Sequence, residues 1–267
     1  MTIPVTKDLM TALCRLAREA GGETLKVYAS HFAIERKDDR SPVTEADTLS
    51  EAVILNGLKN ESLGLGFPVI SEEAFADGQS PDTGDGPFWL VDPLDGTRDF
   101  IDRNDQFSVC IALVTKEAPI LGVIYAPALD ALYWGSTLGT FASLDGGVPK
   151  PIKCRKPPSD GMTAMVSRHH NHPDAMEYLA HLSVKTEKPA GSAYKFCLLA
   201  AGEADIYPRF GRTMEWDTAA GHAILDAAGG SVTMLDGTPF VYGKEGFANP
   251  GFVARGSFPF PQIDKKE

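Results

Sequence analysis

Leu9, Leu13, Leu16 and Ala20 recur at helical spacing near the start of the chain, with Lys7, Arg15, Arg18 and Glu19 largely off that stripe. This pattern predicts an amphipathic helix over residues 5–29, weakened in its middle by Gly21-Gly22. A polar, proline-containing turn over 36–42 follows. Thr44-Glu-Ala-Asp47 has the make-up of a helix start, with Thr44 as N-cap and carboxylates in the first turn. That second helix is expected to run to residue 58. Residues 67–70 and 88–91 read as short apolar strands, the first ending at Ser71-Glu72-Glu73 and the second at Asp92-Pro93. The Asp-, Gly- and Pro-rich stretch 77–87 between them is a loop. Gly96-Thr97 marks a turn into a short helix.

Residues 107–114, 120–125, 131–134 and 140–143 are short strand-like runs separated by turn residues, the signature of an antiparallel meander. Glycines and prolines crowd 146–158, which predicts a boundary between an N-terminal α+β domain (1–150) and a C-terminal α/β domain (151–267). Beyond it the pattern alternates. Strands at 163–167, 183–187, 205–208 and 231–234 enclose helices at 174–181, 193–201 and 216–228, as in an α/β layer.

Charge narrows the function. The 267 residues carry 25 basic and 36 acidic side chains, a net charge of −11. A nucleic-acid polymer binder would present a basic face, so that class is disfavoured. A small phosphorylated ligand stays open if bound divalent metals supply the missing positive charge. Cys14, Cys110, Cys154 and Cys197 form no C-x-x-C pair and read as free thiols, buried or half-buried, in a reducing compartment. Neither a signal peptide nor an apolar run of about 18 residues is present, so the cytoplasm is the expected location.

The candidate chemistry lies in the carboxylates. Glu72-Glu73, Asp92 with Asp95, and Asp217 stand near predicted strand ends, and Asp47 lies in the first turn of the second helix. Magnesium takes a few hard carboxylate oxygens and keeps positions for water and substrate phosphate. In Asp92-Pro-Leu-Asp95, Pro93 restrains Asp92 to an extended conformation. The chain is then expected to turn so that Asp95 points back to the same place, with the Leu94 carbonyl as a further ligand. Gly96 and Thr97 would offer backbone N–H groups to a phosphate. A proline followed by Asp-Gly is also ordinary turn composition. The full string at a strand end, with acidic residues upstream, makes the turn-only reading the weaker one.

Ser71-Glu72-Glu73, Trp89-Leu-Val-Asp92-Pro-Leu-Asp95-Gly-Thr97, Glu215-Trp216-Asp217-Thr-Ala-Ala220-Gly and Pro42-Val-Thr44-Glu-Ala-Asp47 together resemble the inositol monophosphatase superfamily, in the same order along the chain. The segments starting at Gly191, Ala204 and Thr213 are similar to its bacterial 3′(2′),5′-bisphosphate nucleotidase branch, the CysQ type. The resemblance implies a layered αβαβα sandwich, two or three Mg2+ ions, and inhibition by lithium. It implies hydrolysis of adenosine 3′,5′-bisphosphate (PAP) to AMP and of the sulfated PAPS to APS. An inositol or sugar monophosphatase with the same metal core is the alternative. It further implies that Glu72, Asp92, Asp95, Asp217 and the Leu94 carbonyl are metal ligands, with Asp92 bridging two ions. Asp47 would hydrogen-bond Thr97, and Thr97 would orient the attacking water. Gly96 and Thr97 would hold the scissile phosphate. A haloacid-dehalogenase-type phosphatase uses a closer-spaced Asp-x-Asp-Gly-Thr and a nucleophilic aspartate, and fits less well.

Substrate choice is expected to fall to Ser167, His170, Ser192, Lys195 and Arg209, polar or basic groups at strand and helix ends, together with Asp217. His169, His170 and His172 have poor zinc spacing. His222 and Trp216 read as core residues, and either Tyr194 or Tyr207 would face adenine. The expected partner is a small nucleotide bound by a monomer or homodimer. The bacterial branch also includes proteins placed at the inner face of the membrane.

Overall fold

The first helix forms as the stripe predicts, Lys7–Tyr28, and continues unbroken through Gly21-Gly22. Thr6 Oγ1 accepts from the Leu9 N–H at 3.1 Å and caps it. The second helix, Glu45–Leu58, starts in a capping box: Thr44 Oγ1 accepts from Ala46 N–H, and Asp47 Oδ2 accepts from Thr44 N–H at 2.8 Å. One carboxylate oxygen of Asp47 is thereby committed to the backbone. This computed structural model describes residues 3, 5–36, 42–169 and 172–261.

The meander is the main sheet. Its seven strands are, in spatial order, Val69–Ser71, Phe88–Asp95, Ser108–Val114, Pro119–Ala126, Ala131–Ser136, Gly139–Leu144 and Lys150–Pro151. The first pair is parallel and the others antiparallel. Leu9, Leu13, Leu16 and Ala20 of the first helix and Ile54 of the second pack on one face, against Val91, Val109, Ile111 and Val123. The other face receives the helices Tyr194–Ala200 and Glu215–Ala227.

Those two helices also cover a second sheet of five strands, ordered Val184–Ala190, Met162–Ser167, Ile206–Arg209, Phe252–Arg255 and Ser231–Met234. The first three are parallel, Phe252–Arg255 runs against them, and Ser231–Met234, antiparallel to Phe252–Arg255, runs in their direction again. Leu179 of the helix Pro173–Ala180 closes the far face over Ala164, Ile206 and Val253. The layers are therefore αβαβα. Among the described residues no helix is long and apolar enough to cross a membrane.

The structure adds elements that periodicity did not show. The short helix Glu72–Ala76 begins where a strand end was expected. Phe252–Arg255, with no predicted counterpart, sits between Ile206–Arg209 and Ser231–Met234. Ala248–Asn249 pairs with Thr213–Met214, just before the helix that carries Asp217.

Two glycines seat that helix. A Cβ at Gly122 would come within 2.4 Å of the Ala220 carbonyl oxygen, and one at Gly135 within 2.6 Å of the Ile224 Cα. Both obstacles are backbone atoms, which cannot swing away. Gly135→Ala should therefore cost about 1–3 kcal/mol as an overpacking change, read as a lower midpoint in urea unfolding. An unchanged midpoint would show that the helix has room to lift.

Candidate active site

The strand Phe88–Asp95 does not end at Asp92 as the sequence pattern suggested. Asp92 stands opposite Cys110 and Asp95 opposite Ser108, so three steps on one strand match two on the other. This is a β-bulge with one extra residue. Side chains alternate along a strand, and residues three apart normally point to opposite faces. The bulge restores parity. Asp92 and Asp95 share a face with Ser108 and Cys110, toward the second sheet. Burial, then the neighbouring Asp95 and Asp92, push the Cys110 thiol well above its usual range. The turn expected between the aspartates comes one residue after them, at Gly96.

The bulge is held from both sides. Ser50 Oγ donates to the Pro93 carbonyl at 2.7 Å, and Asp92 Oδ1 accepts from Leu94 N–H at 3.0 Å. Gly96 has φ +90°, and a Cβ there would lie 3.1 Å from the Gln106 carbonyl and 3.2 Å from Ser192 Cβ. Its carbonyl starts the helix Thr97–Ile101, accepting from Phe100 N–H at 2.9 Å.

Asp47 is 1% exposed. Its second oxygen, Oδ1, lies 3.4 Å from Thr97 Oγ1, and the Leu94 carbonyl lies 3.3 Å from the same hydroxyl. Glu72, the first residue of its short helix, and Asp217, in the first turn of Glu215–Ala227, line the same cavity of about 940 Å³ as Asp92, Leu94, Asp95, Gly96 and Thr97. Met214 N–H donates to Asp217 at 2.8 Å, and Ala193 N–H donates to Asp95. Burial raises the Asp95 and Asp217 carboxyls above the usual range. Glu72 raises both further, and Asp95 adds to the shift of Asp217.

The opposite wall is cationic. Lys195 is 5% exposed and donates to the carbonyls of Ser192 (2.6 Å) and Ala190 (3.3 Å). Burial draws its pKa down to about 8, opposed by the nearby Asp95. Arg209 is 8% exposed and donates to Ser167 Oγ at 2.9 Å. Its buried Nε has no hydrogen-bond partner. Ser167, Ser192, Lys195 and Arg209 all line the cavity, as does Tyr207, whereas Tyr194 packs against Tyr133. His170 lies outside the described residues. His222 is buried, with Nδ1 2.8 Å from the Tyr242 hydroxyl, and Trp216 packs against Phe75.

Several lining residues escaped the sequence reading. Asp99, 3% exposed, lies 3.1 Å from His169 Nε2 and 3.5 Å from Arg168 Nε. Behind the lining residues Arg168 and Gly191, Gln106 Oε1 accepts from the Arg168 guanidinium and from Gly191 N–H. Asp99 is two residues past Thr97, and its position in the motif was the available signal. Glu51, four residues past Asp47 on one helix face, is another.

The donor set suits magnesium. Among the described residues no three acidic, histidine or cysteine side chains are drawn together into a ready metal cage. Asp92, Asp95 and Asp217 each turn one oxygen to a backbone N–H instead. Hard carboxylates around an open cavity, with Asp95 and Asp217 raised by burial and by acidic neighbours, are what a cation that keeps water and phosphate ligands would stabilise.

Residues 6–255 match the inositol monophosphatase family. The chain belongs to the inositol monophosphatase family. Within the family, the 3′(2′),5′-bisphosphate nucleotidase CysQ of Salmonella typhimurium is 43% identical over 263 residues, covering 91% of this chain and 98% of that protein. The protein of the same name from Escherichia coli K12 is 42% identical over 249 residues, with the same coverage. The crystal structure of CysQ from Bacteroides thetaiotaomicron, a bacterial member of the family, superposes with a TM-score of 0.79 at 34% identity, covering 94% of this chain and 98% of that one.

If the family's carboxylates are held apart by mutual repulsion here, Mg2+ should stabilise the fold. At 100 times its dissociation constant the gain should be about 2.7 kcal/mol. It should appear as a higher melting temperature in Mg2+ than in EDTA, and the rise should shrink in Asp217→Asn. An equal melting temperature in both buffers would count against the metal reading.

Proposed function

We propose that this chain is a magnesium-dependent phosphomonoesterase that removes the 3′-phosphate of adenosine 3′,5′-bisphosphate, leaving AMP, and that also converts PAPS to APS. One observation carries the reading: a single cavity opposes the carboxylates of Glu72, Asp92, Asp95 and Asp217 with two buried cations, Lys195 and Arg209. The carboxylates suit a metal-assisted phosphoryl site. The cations suit a second phosphate, which would also satisfy the orphaned Arg209 Nε. The near full-length similarity to nucleotidases supports the same substrate class.

Glu72, Asp92, Asp95 and Asp217, with the Leu94 carbonyl, would hold the magnesium. When bound, the metal supplies charge at the reacting phosphoryl group and an activated nucleophile. The remaining steps belong to the protein. Gly96 and Thr97 present backbone N–H groups to the scissile phosphate. Thr97 Oγ1 orients the attacking water. Asp47 Oδ1, within reach of that hydroxyl, accepts the proton passed through it. Its other oxygen is fixed by the Thr44 backbone, so the acceptor is aimed before substrate arrives. Arg209, braced by Ser167, and Lys195, braced by two carbonyls, hold the distal phosphate.

Phosphate release with Mg2+ from adenosine 3′,5′-bisphosphate should far exceed release from inositol 1-phosphate, and lithium should inhibit it. The opposite ratio would replace the nucleotidase reading with a sugar-phosphatase one. Asp47→Asn should lower kcat by about 10²- to 10⁴-fold, the scale of general-base loss. The Mg2+ concentration for half activation should barely move. A variant that loses metal affinity and keeps kcat at saturating Mg2+ would reassign Asp47 to the ions.

A further inference from the structure

Glu51 lies one turn beyond Asp47 on the second helix, is 9% exposed and lines the cavity. It is not among the carboxylates placed around magnesium. Three donors converge on a single atom, its Oε1. They are the Ser71 hydroxyl, Glu73 N–H at 3.2 Å and Ala74 N–H at 3.1 Å. These donors bracket Glu72 in the chain.

The helix Glu72–Ala76 has Ser71 at its N-cap position, yet Ser71 makes no side-chain cap bond to it. The first N–H groups of a helix have no acceptor within the helix and need one from elsewhere. A serine at this position would ordinarily provide it. Here the serine hydroxyl donates instead to the Glu51 oxygen that accepts from those N–H groups. The carboxylate of a distant helix does the capping, through charge-assisted bonds that are stronger than neutral ones.

We infer that Glu51 is a positioning residue: an external cap that fixes the start of Glu72–Ala76 and so aims Glu72 at the metal site. The inference rests on the reading of Glu72 as a magnesium ligand. It also gives the second helix two tasks from one face. Asp47 reaches Thr97, and Glu51, one turn on, reaches the Ser71 hydroxyl before Glu72 and the backbone N–H groups after it. The proton acceptor and the outlying ligand are then set by one rigid element. Partners that orient metal ligands without touching the metal commonly govern affinity.

The test separates position from charge. Glu51→Gln keeps an acceptor oxygen at the same reach and removes the charge. Glu51→Asp keeps the charge and withdraws it by one methylene. Binding is read directly with Mn2+ as probe, from the electron paramagnetic resonance signal of the free ion, without substrate. Glu51→Asp should weaken Mn2+ binding by about 10- to 100-fold, while Glu51→Gln stays within about threefold of the unmodified protein. Unchanged affinity in Glu51→Asp would overturn the inference. Equal losses in both variants would also overturn it, because removing the charge at unchanged reach would then be as damaging as withdrawing it, and placement would not account for the effect. If the unmodified protein binds no Mn2+, the metal reading falls and this inference with it.

Discussion

The site depends on one extra residue in one strand. Asp92 and Asp95 are an odd number of positions apart, and a regular strand would send one of them into the helices of the first layer. The bulge at Pro93-Leu94 turns both toward the second sheet. It also frees backbone groups, and each has a partner. Ser50 takes the Pro93 carbonyl, Asp92 takes the Leu94 N–H, and the Leu94 carbonyl is turned toward Thr97. The distortion and the constellation are the same feature.

The rest of the site is gathered around that bulge from three directions. The second helix brings Asp47 and Glu51 from one side of the large sheet. The helix Glu215–Ala227 brings Asp217 from the other side, close to the sheet because Gly122 and Gly135 leave room. The Gly191–Lys195 segment of the second layer closes the cavity with a buried cation. Burial raises the energy of like charges on the carboxylate wall and of Lys195, beside Arg209, on the other. A ligand carrying metal on one end and phosphate on the other relieves both.

Local chemistry was legible in the sequence and tertiary chemistry was not. Thr44 and Asp47 were readable as a helix start because a capping box spans four residues. The helical stripe of the first helix and the meander of the large sheet were readable from periodicity alone. The carboxylates were visible as a set, but the bulge that aligns two of them was not, since its register is defined by Ser108 and Cys110. Glu51 is silent in sequence because its donors lie 20 to 23 residues away. Phe252–Arg255 is too short a run to announce itself between Pro250-Gly251 and Gly256, and it is a strand because two others accept it. Lys195 and Arg209 read as basic residues. Their burial, which makes them candidate recognition groups, comes only from the packed layers.

The bond from Ala193 N–H to Asp95 joins a carboxylate on the first sheet to the turn that carries Ser192 and Lys195. A cation that draws the Asp95 carboxylate toward itself competes with that N–H. With Asp95 as a metal ligand, metal occupancy and the seating of the 191–195 turn would be linked, and the linkage would be reciprocal. Whatever loosened the turn would change the apparent metal affinity, and metal would in turn shift how readily the turn opens. The ion site and the nucleotide site would then communicate through a single amide hydrogen.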